Sequence, residues 1–343
     1  MRCSRPSPAR PPPRKIMHPT DLNEVAHVLR RSRRVLAICH VAPDGDAIGS
    51  LLGFGWVMAA CGPGHVVTLI CPDPIPAQFA FLPGAAEILS DPPRQAWDAV
   101  ISLDASDPRR LGKPFRPAEY GDTPVINLDH HVTNLNFGHL NYVDARAAST
   151  TQIVVDLADA LAAPISQPAA ICLLTGLVTD TLSFRTSNVT LQVMDTARRL
   201  MAAGANLAEI AERAMNHKPL STMRLWGLAL ADLHLDGHVV WTHITQAMRE
   251  AAHATESGDG GLVGYLITAP EARISTVFTE AGGGKVEIGF RARPGYDVSE
   301  LALSLGGGGH PQAAGCTVDG PLAAVEQRVL PLLQSLTGPE NKR

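Results

Sequence analysis

Val35-Leu36-Ala37-Ile38-Cys39 runs directly into His40-Val41-Ala42-Pro43-Asp44-Gly45-Asp46-Ala47-Ile48-Gly49-Ser50. The first five residues form a continuous apolar run, as expected of a strand buried on both faces of a parallel sheet. A tight turn follows, and 47–61 then reads as a buried helix. This order puts one imidazole and two carboxylates at the end of a strand, where ligands collect in open α/β sheets.

The same grammar recurs outward from this stretch. Compact apolar runs at 66–70, 99–103 and 124–128 read as further strands, and 150–161, 168–179 and 191–203 as helices, with another at 21–33. Two of the runs again end in acids and imidazoles: Ser102-Leu103-Asp104, and Asn127-Leu128-Asp129-His130-His131. The fold class is α/β, a parallel-sheet N-terminal domain with helices on both faces. Helical spacing at 206–233 reads as a connector. Beyond it the pattern becomes that of a smaller α+β domain, 234–337. Strands are expected at 238–244, 272–280 and 285–293, the last two joined as a hairpin by Ala281-Gly282-Gly283-Gly284. A short helix is expected at 297–305 with Asp297 as N-cap and Glu300 three residues on, and a final helix at 322–336. The boundaries read as 1–17 tail, 18–205, 206–233, 234–337, and a polar 338–343.

A chain of 343 residues ordinarily makes two domains. With a formal net charge of -4 there is no basic field to hold long nucleic acid, so a nucleic-acid substrate should be short and a long duplex is not expected. The six cysteines are scattered without a C-x-x-C pair, which fits a reducing cytoplasm. No apolar run approaches the ~20 residues of a membrane helix. Residues 1–16 are rich in Arg and Pro, lack the apolar core of a secretory signal and read as a disordered tail. Met17 is an alternative start, to be settled by the intact mass of the native protein.

Two divalent cations close together need several donors and a carboxylate between them, because the cations repel each other. In two-metal phosphoesterases they stand ~3.5–4 Å apart, activate water and clamp phosphoryl oxygens. Asp-x-Asp alone is common in solvated turns, and a single Asp at a strand end is commonly a cap. The combination of His40-x3-Asp44-x-Asp46, Asp104 and Asp129-His130-His131 points instead to a metal-dependent hydrolase. A further carboxylate, Asp180, closes an apolar helix in Thr175-Gly176-Leu177-Val178-Thr179-Asp180-Thr181.

These motifs together resemble the DHH phosphoesterases, named for the triplet seen here as Asp129-His130-His131. The segment Gly306-Gly307-Gly308-Gly309-His310-Pro311-Gln312-Ala313-Ala314-Gly315 is similar to the DHHA1 domain that follows in one branch. The resemblance covers about 18–335, and size and motif order are most similar to the nanoRNase branch, bifunctional oligoribonucleases and 3′-phosphoadenosine-5′-phosphate phosphatases. It implies two divalent metals, Mn²⁺ foremost, with Mg²⁺ or Co²⁺ as alternatives. By that resemblance His40 and Asp44 hold the first, Asp46, His130 and Asp180 the second, and Asp104 bridges. Asp129 is expected to orient His130 through its second ring nitrogen, and His131 to face the scissile phosphate, against the plainer reading of a buried histidine bonded to backbone. The glycines at Gly306, Gly307, Gly308 and Gly309 read either as a linker or as backbone N–H groups approaching an anion, with His310 as an added donor. Arg291 and Arg293 alternate along a strand and read either as a phosphate grip or as a solvated face. Arg110 matches a family position, with a loop or phosphate-facing duty.

Two departures from the family stand out: Leu182 where relatives usually carry glycine, and Gln152 where an acidic residue is common. The resemblance implies hydrolysis of very short RNA to mononucleotides and removal of the 3′-phosphate of adenosine 3′,5′-bisphosphate, with the second domain closing over the substrate. Cyclic or linear dinucleotides are the rival substrates. A metal-dependent nucleotide sensor is the rival of another class, and a homodimer is implied by resemblance only.

Overall fold

The computed structural model describes residues 20–216, 218–255 and 258–338. The tail expected at 1–17, with Met17, and most of the polar segment 338–343 lie outside them. The chain divides into two compact units, one through Met215 and one from Asn216. The stretch read as a connector is shared: α6 below belongs to the first unit and α7 to the second.

In the first unit α1 (Leu22–Arg31) leads into β1 (Arg34–Ile38), α2 (Gly45–Ala60), β2 (Val66–Ile70), β3 (Ala99–Leu103), β4 (Val125–Asp129) and β5 (Leu140–Val143). Helices α3 (Thr150–Leu161), α4 (Gln167–Asp180), α5 (Leu191–Ala202) and α6 (Leu207–Ala211) follow. All five strands are parallel, in the order β2-β1-β3-β4-β5. Every residue of β3 and β4 is buried, which explains their nearly continuous apolar runs, interrupted by Ser102 and Asn127. The short edge strand β5, Leu140-Asn141-Tyr142-Val143, escapes a reading by hydrophobic run because three of its four residues are half-buried and the buried one is the polar Asn141. Chain direction from β1 diverges on either side, to β2 and to β3, so the β1/β3 boundary is the switch point where such sheets bind ligands.

Helix α2 packs against α4 closely enough to need glycine. A Cβ on Gly49 would lie 2.6 Å from the Cys172 carbonyl oxygen and 3.0 Å from the Gly176 nitrogen. A Cβ on Gly176 would lie 2.8 Å from the Asp46 carboxylate. The contact that builds this core therefore also sets the position of a candidate site residue.

The second unit holds α7 (Leu220–Leu230), β6 (His234–Asp236), β7 (Val239–Ile244), α8 (Gln246–Ala252), α9 (Leu262–Leu266), β8 (Ile274–Ala281) and β9 (Lys285–Ala292). Then come α10 (Ser299–Ser304), β10 (Gly308–His310), β11 (Ala313–Asp319) and α11 (Leu322–Leu336). Its mixed sheet runs β10-β11-β9-β8-β7-β6, with β7 and β8 the parallel pair. Val286, Ile288 and Phe290 alternate along β9 into a core with Val325, Val329 and Leu333 of α11. A second core gathers α7, α8 and α9 with Val240, Ile244 and Val277.

Two local expectations are corrected here. The short helix begins at Ser299 with Val298 at its cap, and Asp297 lies one residue earlier. There its carboxylate accepts from the Ser299 N–H (2.8 Å) and hydroxyl (2.6 Å), a local turn rather than a helix cap. The glycine run is partly strand: β10 pairs with β11 through Gly308 opposite Gly315, Gly309 opposite Ala314 and His310 opposite Ala313.

Candidate active site

Three strand ends and two helix ends deliver the candidate residues to the carboxyl edge of the first sheet. His40 follows β1, Asp104 follows β3, Asp129 ends β4 and His130 follows it, and Asp180 ends α4. Asp44 is the N-cap of α2, its Oδ1 accepting from the N–H groups of Asp46 and Ala47 at 3.0 Å each. Asp46, in the first turn of that helix, is buried.

The side chains form two groups that share Asp104. His40 Nε2 stands 3.5 Å from Asp104 Oδ2 and 3.8 Å from Asp44 Oδ1. His130 Nε2 stands 3.7 Å from Asp104 Oδ1, 3.5 Å from Asp180 Oδ2 and 3.9 Å from Asp46 Oδ2. The sets His40, Asp44, Asp104 and Asp46, His130, Asp180 each bring three ligand atoms within the span of one ion. Both His40 and Asp104 are buried, and Asp104 holds a left-handed backbone at φ 60°. Aspartate tolerates that region better than most residues, and such strain gathers at functional sites.

The backbone around the site fixes ring orientation. His40 Nδ1 is 2.7 Å from the Val41 carbonyl, which turns Nε2 toward the carboxylates. His130 Nδ1 turns toward the Ala147 carbonyl at 3.4 Å. Asp129 does not orient the His130 ring, contrary to the expectation. Its Oδ1 accepts from the His131 ring Nδ1 at 2.6 Å and from the His130 backbone N–H at 2.8 Å. The reason is local geometry: the Ala147 carbonyl already occupies the position behind His130.

Several groups here were not singled out in the sequence. Asn134 donates to Asp129 Oδ2 (2.5 Å) and to the Ala105 carbonyl (3.3 Å), tying the triplet to β3. The first turn of α3 holds Asp46: the N–H groups of Thr150 and Thr151 reach Asp46 Oδ2 (2.6 Å) and Oδ1 (2.9 Å). The available signal was the S-x-x-Q capping pattern at Ser149 and Gln152. Gln152 is buried and returns its side-chain oxygen to the Ala148 N–H at 2.9 Å, so this departure from the family caps a helix. Leu182 begins three consecutive left-handed residues, Leu182, Ser183 and Phe184 (φ 48°, 60°, 62°), directly after Thr181. Glycine would meet no steric penalty at that position.

Arg110 lies behind the site, its Nη2 3.0 Å from His40 Nδ1 and its carbonyl accepting from the Val41 N–H. The two arginines, read either as a phosphate grip or as a solvated strand face, each bond a backbone carbonyl. Arg291 is on β9 with its Nη1 on the Phe290 carbonyl (2.8 Å), and burial lowers its pKa. Arg293 lies beyond the last residue of β9 and donates to the Ala269 carbonyl (2.9 Å). His310 and the neighbouring glycines are in the second unit's hairpin.

Charge is concentrated at the first site. Burial, with Asp104 and Asp180 close by, pushes the Asp46 carboxyl well above its ordinary range. Burial, with Asp44 and Asp104, does the same to Asp180. Burial opposes ionisation of Asp104 too, but the His40 hydrogen bond and the neighbouring imidazoles overcome it and hold the carboxyl far below its usual range. Burial likewise opposes protonation of His131, yet the Asp129 hydrogen bond and nearby carboxylates push it up to about 9.

These shifts set a pH dependence for the cation-free protein. His131 contributes stability in full below its ordinary 6.5, and loses that contribution as pH rises through about 9. Asp46 and Asp180, raised above 3.8, also lose their contribution as pH climbs. Asp104 has the opposite sign, contributing above 3.8 and losing it only in acid. The protein in chelator is therefore expected to melt at lower temperature at pH 9 than at pH 6.5. Thermal melts across this range check it, and a flat profile in chelator would contradict the assigned shifts.

Comparison with known proteins agrees with this geometry. The DHH family, N-terminal domain, matches residues 34–177, and the DHHA1 domain matches 242–336. The bifunctional oligoribonuclease and PAP phosphatase NrnA of Thermus thermophilus is 38% identical over 315 residues, spanning 89% of this chain and 91% of that protein. Its namesake from Mycoplasma pneumoniae is 27% identical over 304 residues, spanning 87% and 91%. An exopolyphosphatase-related protein from Bacteroides fragilis superposes with a TM-score of 0.82 at 23% identity, covering 91% of this chain and 97% of that one, a likeness of fold. Fold and site define a phosphoesterase, a hydrolase whose clustered acids and histidines could bind metal ions. The chain belongs to the DHH family, its DHH domain followed by a DHHA1 domain. No helix among the described residues is long and apolar enough to cross a membrane.

Proposed function

We propose that this protein is a divalent-metal-dependent phosphoesterase that hydrolyses RNAs of a few nucleotides to mononucleotides and removes the 3′-phosphate from 3′-phosphoadenosine 5′-phosphate. The observation that carries the reading is Asp104, whose two carboxylate oxygens face the two separate donor groups. The donors fit two such cations: each group offers one imidazole and several carboxylate oxygens, a mixture suited to Mn²⁺ and unlike a closed zinc site. His40 and Asp44 would hold one ion, Asp46, His130 and Asp180 the other, with Asp104 between them. When bound, the cations supply an activated water and charge neutralisation at phosphorus.

The chain's own groups do the rest. Asp129 keeps a proton on His131 Nδ1, so the ring is available as a cation beside the phosphoryl oxygens that gain charge in the transition state. Asn134 holds Asp129 for that task. In the second unit Arg291 and the hairpin 306–310 are assigned to nucleotide contacts, and Arg293 to holding the Ala269 carbonyl. The relatives named as bifunctional oligoribonucleases and PAP phosphatases support the substrate class.

A second reading rests on a 24% identical match over 331 residues to the cyclic-di-AMP phosphodiesterase GdpP of Geobacillus thermodenitrificans, covering 48% of that protein. The deciding experiment is Mn²⁺-dependent turnover of a panel: RNAs of two to five nucleotides, a twenty-nucleotide RNA, adenosine 3′,5′-bisphosphate, linear and cyclic diadenylate, and pyrophosphate. Preference for the shortest RNAs with release of phosphate from the bisphosphate is expected. Turnover confined to diadenylates would replace the reading with the second one, and nucleotide binding without turnover would replace it with a sensor.

A further inference from the structure

The carboxylate of an aspartate turns easily about its last torsion, whose preferences are broad. At Asp104 that freedom matters, because Oδ2 faces His40 and Oδ1 faces His130. One neutral donor holds the plane: the Thr150 hydroxyl donates to Asp104 Oδ1 at 2.9 Å. Thr150 is fully buried and is the first residue of α3, and its backbone N–H donates to Asp46 Oδ2 at 2.6 Å. A single residue thus grips one carboxylate from each end of the second donor group, by hydroxyl and by backbone. Its place is fixed from below, since Ser149 caps the helix and shares a 2.7 Å hydroxyl contact with Thr151.

We propose that Thr150 is a positioning residue whose hydroxyl sets the orientation of the Asp104 carboxylate, and so the spacing between the two cation-binding groups. The inference rests on the two-cation reading above. A purely packing role would need only the branched shape of the side chain. The positioning role needs the hydroxyl, because the Asp46 contact comes from the backbone and survives substitution.

The test separates shape from hydroxyl in protein freed of metal by chelation. Thr150→Val keeps the branch and removes the donor, and Thr150→Ser keeps the donor and removes the methyl. Calorimetric titration with Mn²⁺ reads the two binding steps, and electron paramagnetic resonance at two ions per chain reads whether they are spin-coupled. Removing a group that orients a metal ligand typically costs about 10–100-fold in affinity. Thr150→Val is expected to weaken the second step by about that factor, with the first step little changed, and to lose the coupled signal. Thr150→Ser is expected to restore both. If the valine protein does not fold, as judged by near-ultraviolet circular dichroism in chelator, Thr150→Ala is read in its place. Wild-type affinity and coupling in the valine protein would overturn the proposal, as would a serine protein as defective as the valine one. Wild-type protein that binds fewer than two ions would instead overturn the two-cation reading, and this inference with it.

Discussion

Asp104→Asn is expected to lose phosphoesterase activity by about 10³-fold, while remaining folded. The substitution keeps the volume, and asparagine tolerates the left-handed backbone found there. What it removes is the negative charge that faces both donor groups. A catalytic cation is worth several kcal/mol of transition-state stabilisation, and about 1.4 kcal/mol is tenfold in rate, so a weakened pair costs about three orders of magnitude. Stability in chelator should fall as well, because the ionised carboxylate that His40 and the neighbouring imidazoles hold is lost, and relief of like charge on Asp46 and Asp180 offsets only part of that. The measurement is single-turnover hydrolysis of a dinucleotide at saturating Mn²⁺, with circular dichroism beside it. Activity within a few-fold of wild type would remove Asp104 from the centre of the site.

Gly49→Val should be the most damaging single change in the core of the first unit. A new Cβ there meets the Cys172 carbonyl oxygen at 2.6 Å, a backbone atom that cannot swing aside. Overpacking a tight core costs about 1–3 kcal/mol, sometimes more, and here the strain adds to a buried helix pair. The expected loss is about 3 kcal/mol in denaturant melts, with cation affinity weakened as well, since α2 carries Asp44 at its cap and Asp46 in its first turn. Gly227, on α7, is the contrasting position: a Cβ there meets nothing within 4 Å. Gly227→Ala should stabilise by about 0.5–1 kcal/mol through helix propensity alone. Equal effects at the two positions would show that α2 and α4 can separate without cost.

Much of the first unit was legible because its central strands β1, β3 and β4 are buried on both faces, so apolar runs such as Val35 to Ile38 declare themselves without periodicity. The candidate site was legible because the acids and imidazoles that the structure gathers lie at strand and helix ends. What failed to show were features set by contacts between distant segments. Edge strand β5 needs its neighbour to exist. The preference of Asp129 for His131 depends on where the Ala147 carbonyl lies, and Ala147 sits in another loop. The Thr150 hydroxyl meets Asp104 only once α3 is docked on the sheet. In the second unit, Arg291 and Arg293 obey the alternation of a strand on paper, yet the strand stops at Ala292 and the second arginine turns to a carbonyl.

The scattering of donors over His40, Asp104, His130 and Asp180 has a consequence for how the chain matures. No short segment holds a complete set, so a cation finds little to bind in a nascent or half-assembled chain, where such distant contacts form late. A ligand that binds only the finished state stabilises it by mass action, about 2.7 kcal/mol at a hundredfold excess over its dissociation constant, and leaves intermediates unaided. On the two-cation reading proposed above, divalent-cation supply acts on this protein as a selector of completed domains, drawing chains across the last step of assembly rather than guiding the first.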